Sequence, residues 1–162
     1  MEERLPLTMT VDGRHISAML RPRHLLSDFL RGDAGATSVH LGCGQGVCGA
    51  CTVVIDGQPV RACLMLAVQA DGCRIQTVAS LPELEGGCPL GSDGLTPLQA
   101  AFREHHALQC GFCTPGLLVS TAVFLARTRH PSRAAILGHL NGHLCRCTGY
   151  ANIIAAIESL AR

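Results

Sequence analysis

Gly42-Cys43-Gly44-Gln45-Gly46-Val47-Cys48-Gly49-Ala50-Cys51 is the stretch on which the reading of this chain turns. Three cysteines and four glycines share these ten residues, a composition that builds neither a helix nor a strand. Glycine tolerates positive φ, so the backbone can curl and bring several thiols to face one point. Directly after it, Thr52-Val53-Val54-Ile55 reads as a buried strand, and Asp56-Gly57 as a tight turn into a second β-prone run from Val60 to Ala67. The loop contains two superficial matches. Gly44-x-Gly46-x-x-Gly49 has the dinucleotide-binding pattern, and Cys48-Gly49-Ala50-Cys51 has the form of a redox dithiol. Both require a helix next, where this sequence supplies a strand, and the dithiol reading leaves Cys43 and Cys63 without a role.

Upstream of the loop, Leu5 to Thr10 and Arg14 to Leu20 are β-prone runs joined across Asp12-Gly13, a second hairpin signal. Leu25-Leu26-Ser27-Asp28-Phe29-Leu30 has helical spacing and stops near Gly32, and a last short strand is expected from Arg74 to Val78. Residues 1–78 therefore read as a small α+β domain. From 79 to 96 the composition shifts to Pro82, Gly86, Gly87, Pro89, Gly91 and Gly94, the mark of a linker or a long surface connection. Residues 97–162 turn helical. Thr96-Pro97 is an N-cap before a first-turn proline, opening a helix from Leu98 to His106. Thr114-Pro115 has the same form before Gly116 to Arg129. Pro131-Ser132 precedes a third helix through Leu140, and Tyr150-Ala151 leads into a fourth ending at Arg162. Four helices in this span predict a four-helix bundle. At roughly 80 residues each, both halves are small enough for a metal to matter to their stability.

The 162 residues carry 13 Lys plus Arg, all of them Arg, against 12 Asp plus Glu, for a net charge of +1. Without a basic run, nucleic-acid binding is not expected. With no Trp, one Tyr and four Phe, binding by aromatic stacking is not expected either. The longest apolar stretch, Gly116 to Ala126, is about half a membrane span and contains Ser120 and Thr121, so no membrane span is expected. Met1-Glu2-Glu3-Arg4 lacks the apolar core of a signal peptide, which points to the cytoplasm.

Ten cysteines in such a chain are more naturally metal ligands than disulfides. Cys43-x4-Cys48-x2-Cys51 is followed, after eleven intervening residues, by Cys63, the spacing of plant-type [2Fe–2S] sites. Cys110-x2-Cys113 and, 32 positions further, Cys145-x-Cys147 form a second set. Its spacing admits a second iron–sulfur cluster or a zinc ion, and the C-x-C pair favours the cluster.

Three stretches carry a resemblance: Gly42 to Thr52 above, Gln109-Cys110-Gly111-Phe112-Cys113-Thr114-Pro115-Gly116, and Leu144-Cys145-Arg146-Cys147-Thr148-Gly149-Tyr150. In this order they resemble the iron–sulfur subunit of molybdenum hydroxylases, the xanthine oxidase family, over nearly the whole chain. The resemblance implies a β-grasp, ferredoxin-like N-terminal domain and a C-terminal four-helix bundle, each holding one [2Fe–2S] cluster. Cys43, Cys48, Cys51 and Cys63 would hold the cluster nearer FAD. Cys110, Cys113, Cys145 and Cys147 would hold the one beside the molybdenum cofactor, with Gln109 and Cys147 touching the pterin. It further implies molybdopterin cytosine dinucleotide on a large partner chain and FAD on a medium one, in a heterotrimer or a dimer of heterotrimers. This chain would then relay electrons and perform no substrate chemistry. A free-standing two-cluster ferredoxin and a zinc-stabilised binding module are the rival readings.

The remaining groups read blandly. Cys73 and Cys88 have no partner at metal spacing. His139 and His143, four apart at a helix end, are taken as capping or surface groups, and His105-His106 as the close of a helix. Leu117, Leu118, Thr121, Phe124 and Leu125 form a core stripe. Arg146 is either a charge partner for a cluster or a solvent-exposed side chain.

Overall fold

The computed structural model describes residues 3–161. Strands β1 (Leu5–Val11) and β2 (Arg14–Leu20) pair antiparallel, Leu5 opposite Leu20 and Val11 opposite Arg14. Asp12 and Gly13 close this hairpin at φ +47° and +77°, the left-handed pair a two-residue loop requires. Strands β3 (Thr52–Ile55) and β4 (Gln58–Arg61) form a second antiparallel hairpin around Asp56-Gly57. Strand β5 (Arg74–Gln76) lies between the two, parallel to β1 and antiparallel to β3, so the sheet order is β2-β1-β5-β3-β4. Leu7, Met9 and Val11 point inward at every second position of β1 and pack with Leu26, Phe29 and Leu30 of helix α1 (Leu26–Arg31). Val53, Ile55 and Ile75 complete this first core.

The second half contains a short helix α2 (Leu81–Leu84), then α3 (Pro97–Glu104), α4 (Thr114–Arg127), α5 (Arg133–Leu140) and α6 (Ala151–Leu160). Helix α3 opens on a reciprocal cap: Gln99 N–H donates to Thr96 Oγ1 at 3.2 Å, and Thr96 N–H donates to the Gln99 side chain at 3.0 Å. Leu98, Phe102, Leu117, Leu118, Ile136, Leu140, Ile153 and Ile157 form the second core. The chain is thus α+β. Strand β3 joins the halves because it is buried on both faces. Val53 and Ile55 face the first core, while Val54 packs on Val119 and Val123 of α4.

Several expectations shift. The strand expected over Val60 to Ala67 ends at Arg61, and Ala62–Leu64 form a 3-10 turn. Ala62 N–H donates to Cys51 O at 3.2 Å, which rolls the chain over and swings Cys63 toward Cys51. Thr114 is not an N-cap. Gly111 at φ +79° starts the turn early, Thr114 N–H bonds Gly111 O at 3.2 Å, Cys113 takes the cap position, and the Thr114 hydroxyl is buried without a partner. The 79–96 segment is anchored rather than free: Leu81 is fully buried in the second core, and the Glu85 carboxylate accepts the Leu98 N–H at 3.2 Å. The expected helix end at Arg162 and the Met1-Glu2 start lie outside the described residues. Among the described residues, no helix is long and apolar enough to cross a membrane.

Candidate metal centres

The 42–51 loop curls through Gly44, Gly46 and Gly49 at φ +65°, +79° and +77°. This turns the amides of Gln45 and Cys48 onto Cys43 Sγ at 3.5 and 3.4 Å. Those N–H groups, Gln45 first, pull the Cys43 thiol down to about 6. Cys48 lies against Cys43, and Cys63 lies against Cys51. Burial pushes Cys51 up to about 11, with the neighbouring Cys63 and Cys48 adding to the rise. The site therefore has a buried pair, Cys51 and Cys63, and a half-buried pair, Cys43 and Cys48.

The second set is built from helix ends. Cys110 precedes α4, Cys113 caps it, and Cys145 and Cys147 lie in the loop between α5 and α6. The Cys110 and Cys147 sulfurs are 3.5 Å apart and both residues are exposed, whereas Cys113 and Cys145 are neighbours in the interior. Burial pushes Cys113 up to about 12. Burial works against a Cys145 thiolate too, but hydrogen bonds from Thr148, whose hydroxyl is 3.0 Å from the sulfur, and from Cys147 and Cys113 together outweigh it and lower that thiol. The Phe112 N–H, then Cys147, lowers Cys110.

Among the described residues, no three His, Cys, Asp or Glu side chains gather closely enough to hold a single ion. A tetrahedral zinc site would draw four sulfurs to within about 4 Å of one another. The eight cysteines come instead as four close pairs, two per site. That donor set fits a two-iron centre, each iron taking one pair of thiolates. Space around the first site is correspondingly tight: a Cβ at Gly42 would lie 3.1 Å from Cys48 Sγ and 3.3 Å from the Phe112 ring.

The two sites touch. Leu144, next to Cys145, donates its N–H to Cys48 O at 2.9 Å. His40 stacks on Phe112 with ring centroids 4.9 Å apart and meets Phe112 O through Nδ1 at 2.8 Å. Gly116 in α4 lies so close that a Cβ there would strike Gly49 O and stand 3.0 Å from Ala50 O.

Sequence reasoning missed four residues here. Tyr150, at φ +67°, folds its hydroxyl back to accept the Cys145 N–H and donate to His143 O, both at 2.9 Å. Arg61 donates to Thr52 Oγ1 and to Gly142 O. His139 and His143 are neither surface nor cap groups. His143 is 3 % exposed with Nε2 2.8 Å from Ser120 Oγ, and His139 stacks on Phe124 at 4.5 Å. The one available signal was their period of four, which fits an inward helix face as well as a metal pair. Gln109 and Arg146 are exposed, Gln109 beside exposed Cys110. Cys73 and Cys88 are half-buried.

Two families match the chain: a "2Fe-2S iron-sulfur cluster binding domain" over residues 25–85 and a "[2Fe-2S] binding domain" over residues 85–158. Caffeine dehydrogenase subunit gamma of Pseudomonas sp. (strain CBB1) is 49 % identical over 158 residues, covering 96 % of this chain and 90 % of that protein. The nicotine 6-hydroxylase small subunit of Paenarthrobacter nicotinovorans is 46 % identical, covering 96 % and 88 %. The structure of quinoline 2-oxidoreductase from Pseudomonas putida 86 superposes with a TM-score of 0.86 at 46 % identity, covering 98 % of this chain and 93 % of its counterpart. With both halves matched and relatives aligned end to end, the chain belongs to the [2Fe–2S] small subunits of the molybdenum hydroxylases, as an oxidoreductase subunit.

Proposed function

We propose that this chain is the electron-transfer subunit of a molybdenum hydroxylase, relaying electrons from molybdopterin cytosine dinucleotide on a large partner chain to FAD on a medium one. The overall reaction converts RH and water into ROH, two protons and two electrons. The carrying observation is that two four-thiol sites stand in series. The outer one exposes Cys110 and Cys147 at the surface, and the Leu144–Cys48 hydrogen bond of 2.9 Å joins it to the inner one. A [2Fe–2S] centre, when bound, takes up and gives back one electron at a time.

The chain's own work is to hold, bury and hydrogen-bond two such centres at fixed spacing. Cys110, Cys113, Cys145 and Cys147 hold the centre facing molybdenum, with exposed Gln109 and Cys147 at the pterin. Cys43, Cys48, Cys51 and Cys63 hold the centre facing FAD. Exposed Phe112, Val47, Leu64 and Leu144 beside these loops support a partner-covered face over a free-standing carrier. On this reading residues 1–78 form a β-grasp domain, 79–96 the connection and 97–162 a four-helix bundle. The assembly is a cytoplasmic heterotrimer or a dimer of heterotrimers. The relatives named for caffeine, nicotine and quinoline support an N-heteroaromatic substrate, bound by the large chain.

The test is metal analysis of the tagged protein purified gently from its host. The expected result is about four irons per chain with molybdenum in larger co-purifying chains. Four irons without molybdenum or partners would leave the free ferredoxin, and zinc in place of iron would overturn both.

A further inference from the structure

Arg61 ends β4 at the seam between the two sites. Its guanidinium donates to Thr52 Oγ1 and to Gly142 O. Thr52 follows Cys51 and donates its own hydroxyl to Gly49 O, while Gly142 leads through His143 and Leu144 into Cys145. One side chain therefore grips both cysteine-bearing loops.

Among the described residues, the cleft it lines supplies no countercharge. Arg61 lines a cleft of about 500 Å³ with Arg127, Ser120, Phe124, His139 and His143, and no Asp or Glu lines it. Arg127 is exposed and donates to Gly57 O and Gln58 Oε1, so water and salt screen it. Arg61 is half-buried, where screening is weaker.

We propose that Arg61 is an electrostatic positioning residue shared by both iron–sulfur sites, a fixed positive charge at their seam that raises the reduction potential of each. The inference rests on the electron-relay reading. Reducing either site adds one electron and no proton, so the site becomes one unit more negative. A nearby fixed positive charge stabilises that state over the oxidised one. Net charge and hydrogen bonding around the sulfurs are the levers by which a protein sets such potentials. Because Arg61 bonds beside Cys51 on one loop and near Cys145 on the other, its removal lowers both potentials together.

The experiment is a redox titration of the purified holoenzyme, following each centre by electron paramagnetic resonance, in the parent, Arg61→Gln, Arg61→Lys and Arg127→Gln. The expected result is a fall of both midpoint potentials in Arg61→Gln. Arg61→Lys, which keeps the charge and loses the two-point grip, falls by less than half as much, and Arg127→Gln stays at the parent values. Unmoved potentials in Arg61→Gln, a shift in only one centre, or an equal fall in Arg61→Lys would overturn the proposal, the last assigning the effect to the hydrogen bonds. If Arg61→Gln does not assemble, Thr128→Asp sets a carboxylate in the same cleft without touching either Arg61 bond. It must lower both potentials, and no shift overturns the proposal. Absence of two reducible iron–sulfur signals in the parent would instead defeat the relay reading before any variant is compared.

Discussion

The first centre draws three of its four cysteines from ten consecutive residues, whereas the second assembles its four from two turns separated by 32 positions. Backbone shape holds the first: three glycines at positive φ turn two amides onto one sulfur. Helix packing holds the second, with Cys113 capping α4 and the Tyr150 hydroxyl spanning the Cys145 loop. Equal chemistry on unequal scaffolds should fail in different ways. Damage to the first centre is damage to backbone conformation; damage to the second is loss of tertiary contacts.

The largest expected effect separates the two outright. Cys110→Ser removes a proposed ligand of the outer centre, so iron content should halve while the inner centre keeps its visible spectrum. Substrate should then no longer reduce the inner centre in the holoenzyme. Cys43→Ser should do the converse, leaving the outer centre reducible by substrate. If substrate bleaches both centres of Cys110→Ser at the parent rate, the proposed order of electron flow is wrong.

A smaller effect tests the backbone argument inside one loop. Gly44 and Gly49 both have positive φ, but a Cβ at Gly44 meets nothing within 4 Å, whereas one at Gly49 strikes His143 Nδ1 and stands 2.6 Å from Gly142 O. Gly44→Ala should cost about 1 kcal/mol for the left-handed backbone alone. Gly49→Ala adds overpacking and should cost about 3 kcal/mol. Denaturant unfolding of the iron-loaded protein measures both. Equal costs would mean that the seam relaxes freely and that Gly49 serves only its φ.

The contrast also explains what could be read in advance. The first hairpins, α1, β3 and the Thr96 cap follow from residues within a few positions of one another, and these local signals matched the structure. Cys63 was legible by spacing, although the turn that delivers it replaced an expected strand, because nothing in Val60 to Ala67 announces the Ala62–Cys51 hydrogen bond. Cys110 and Cys113 were grouped with Cys145 and Cys147 by their spacing, but their expected place beside the molybdenum cofactor came only with the family resemblance, since no local rule spans α4 and α5. Arg61 and His143 were illegible for the same reason, their partners being 81 and 23 positions away, and the contacts of Tyr150, 5 to 7 positions off, were illegible because they are to a backbone N–H and a carbonyl that any sequence supplies.

Tyr150→Phe is the tertiary counterpart of the glycine variants. It strands the Cys145 N–H and the His143 carbonyl at a partly buried site, which should cost about 1–2 kcal/mol. The loss should be local, with faster iron release from the outer centre under a chelator and an unchanged rate from the inner one. Equal acceleration at both would show that the two scaffolds yield as one unit through the seam.

The smallest effect reads the seam through acid. His139 and His143 sit at about 4 and about 3 in the fold, lowered first by burial and then by Arg61, against roughly 6.5 in an unfolded chain. Between these values the unfolded chain binds protons that the folded chain refuses. Stability from this pair is therefore complete above about pH 6.5 and drains as pH falls toward 4 and then 3. Asp56 and Asp93, lowered chiefly by the Arg74 N–H and by Arg103, lose their contribution only below the ordinary carboxylate value of about 3.9, whereas Glu85, raised chiefly by burial, works against the histidines within the window, so the difference between the parent and His139→Leu isolates the histidine share. His139→Leu removes one of the two protons and should flatten the decline in that window while leaving the plateau above pH 7 little changed. An undiminished slope in His139→Leu would mean that the acid response originates outside the seam.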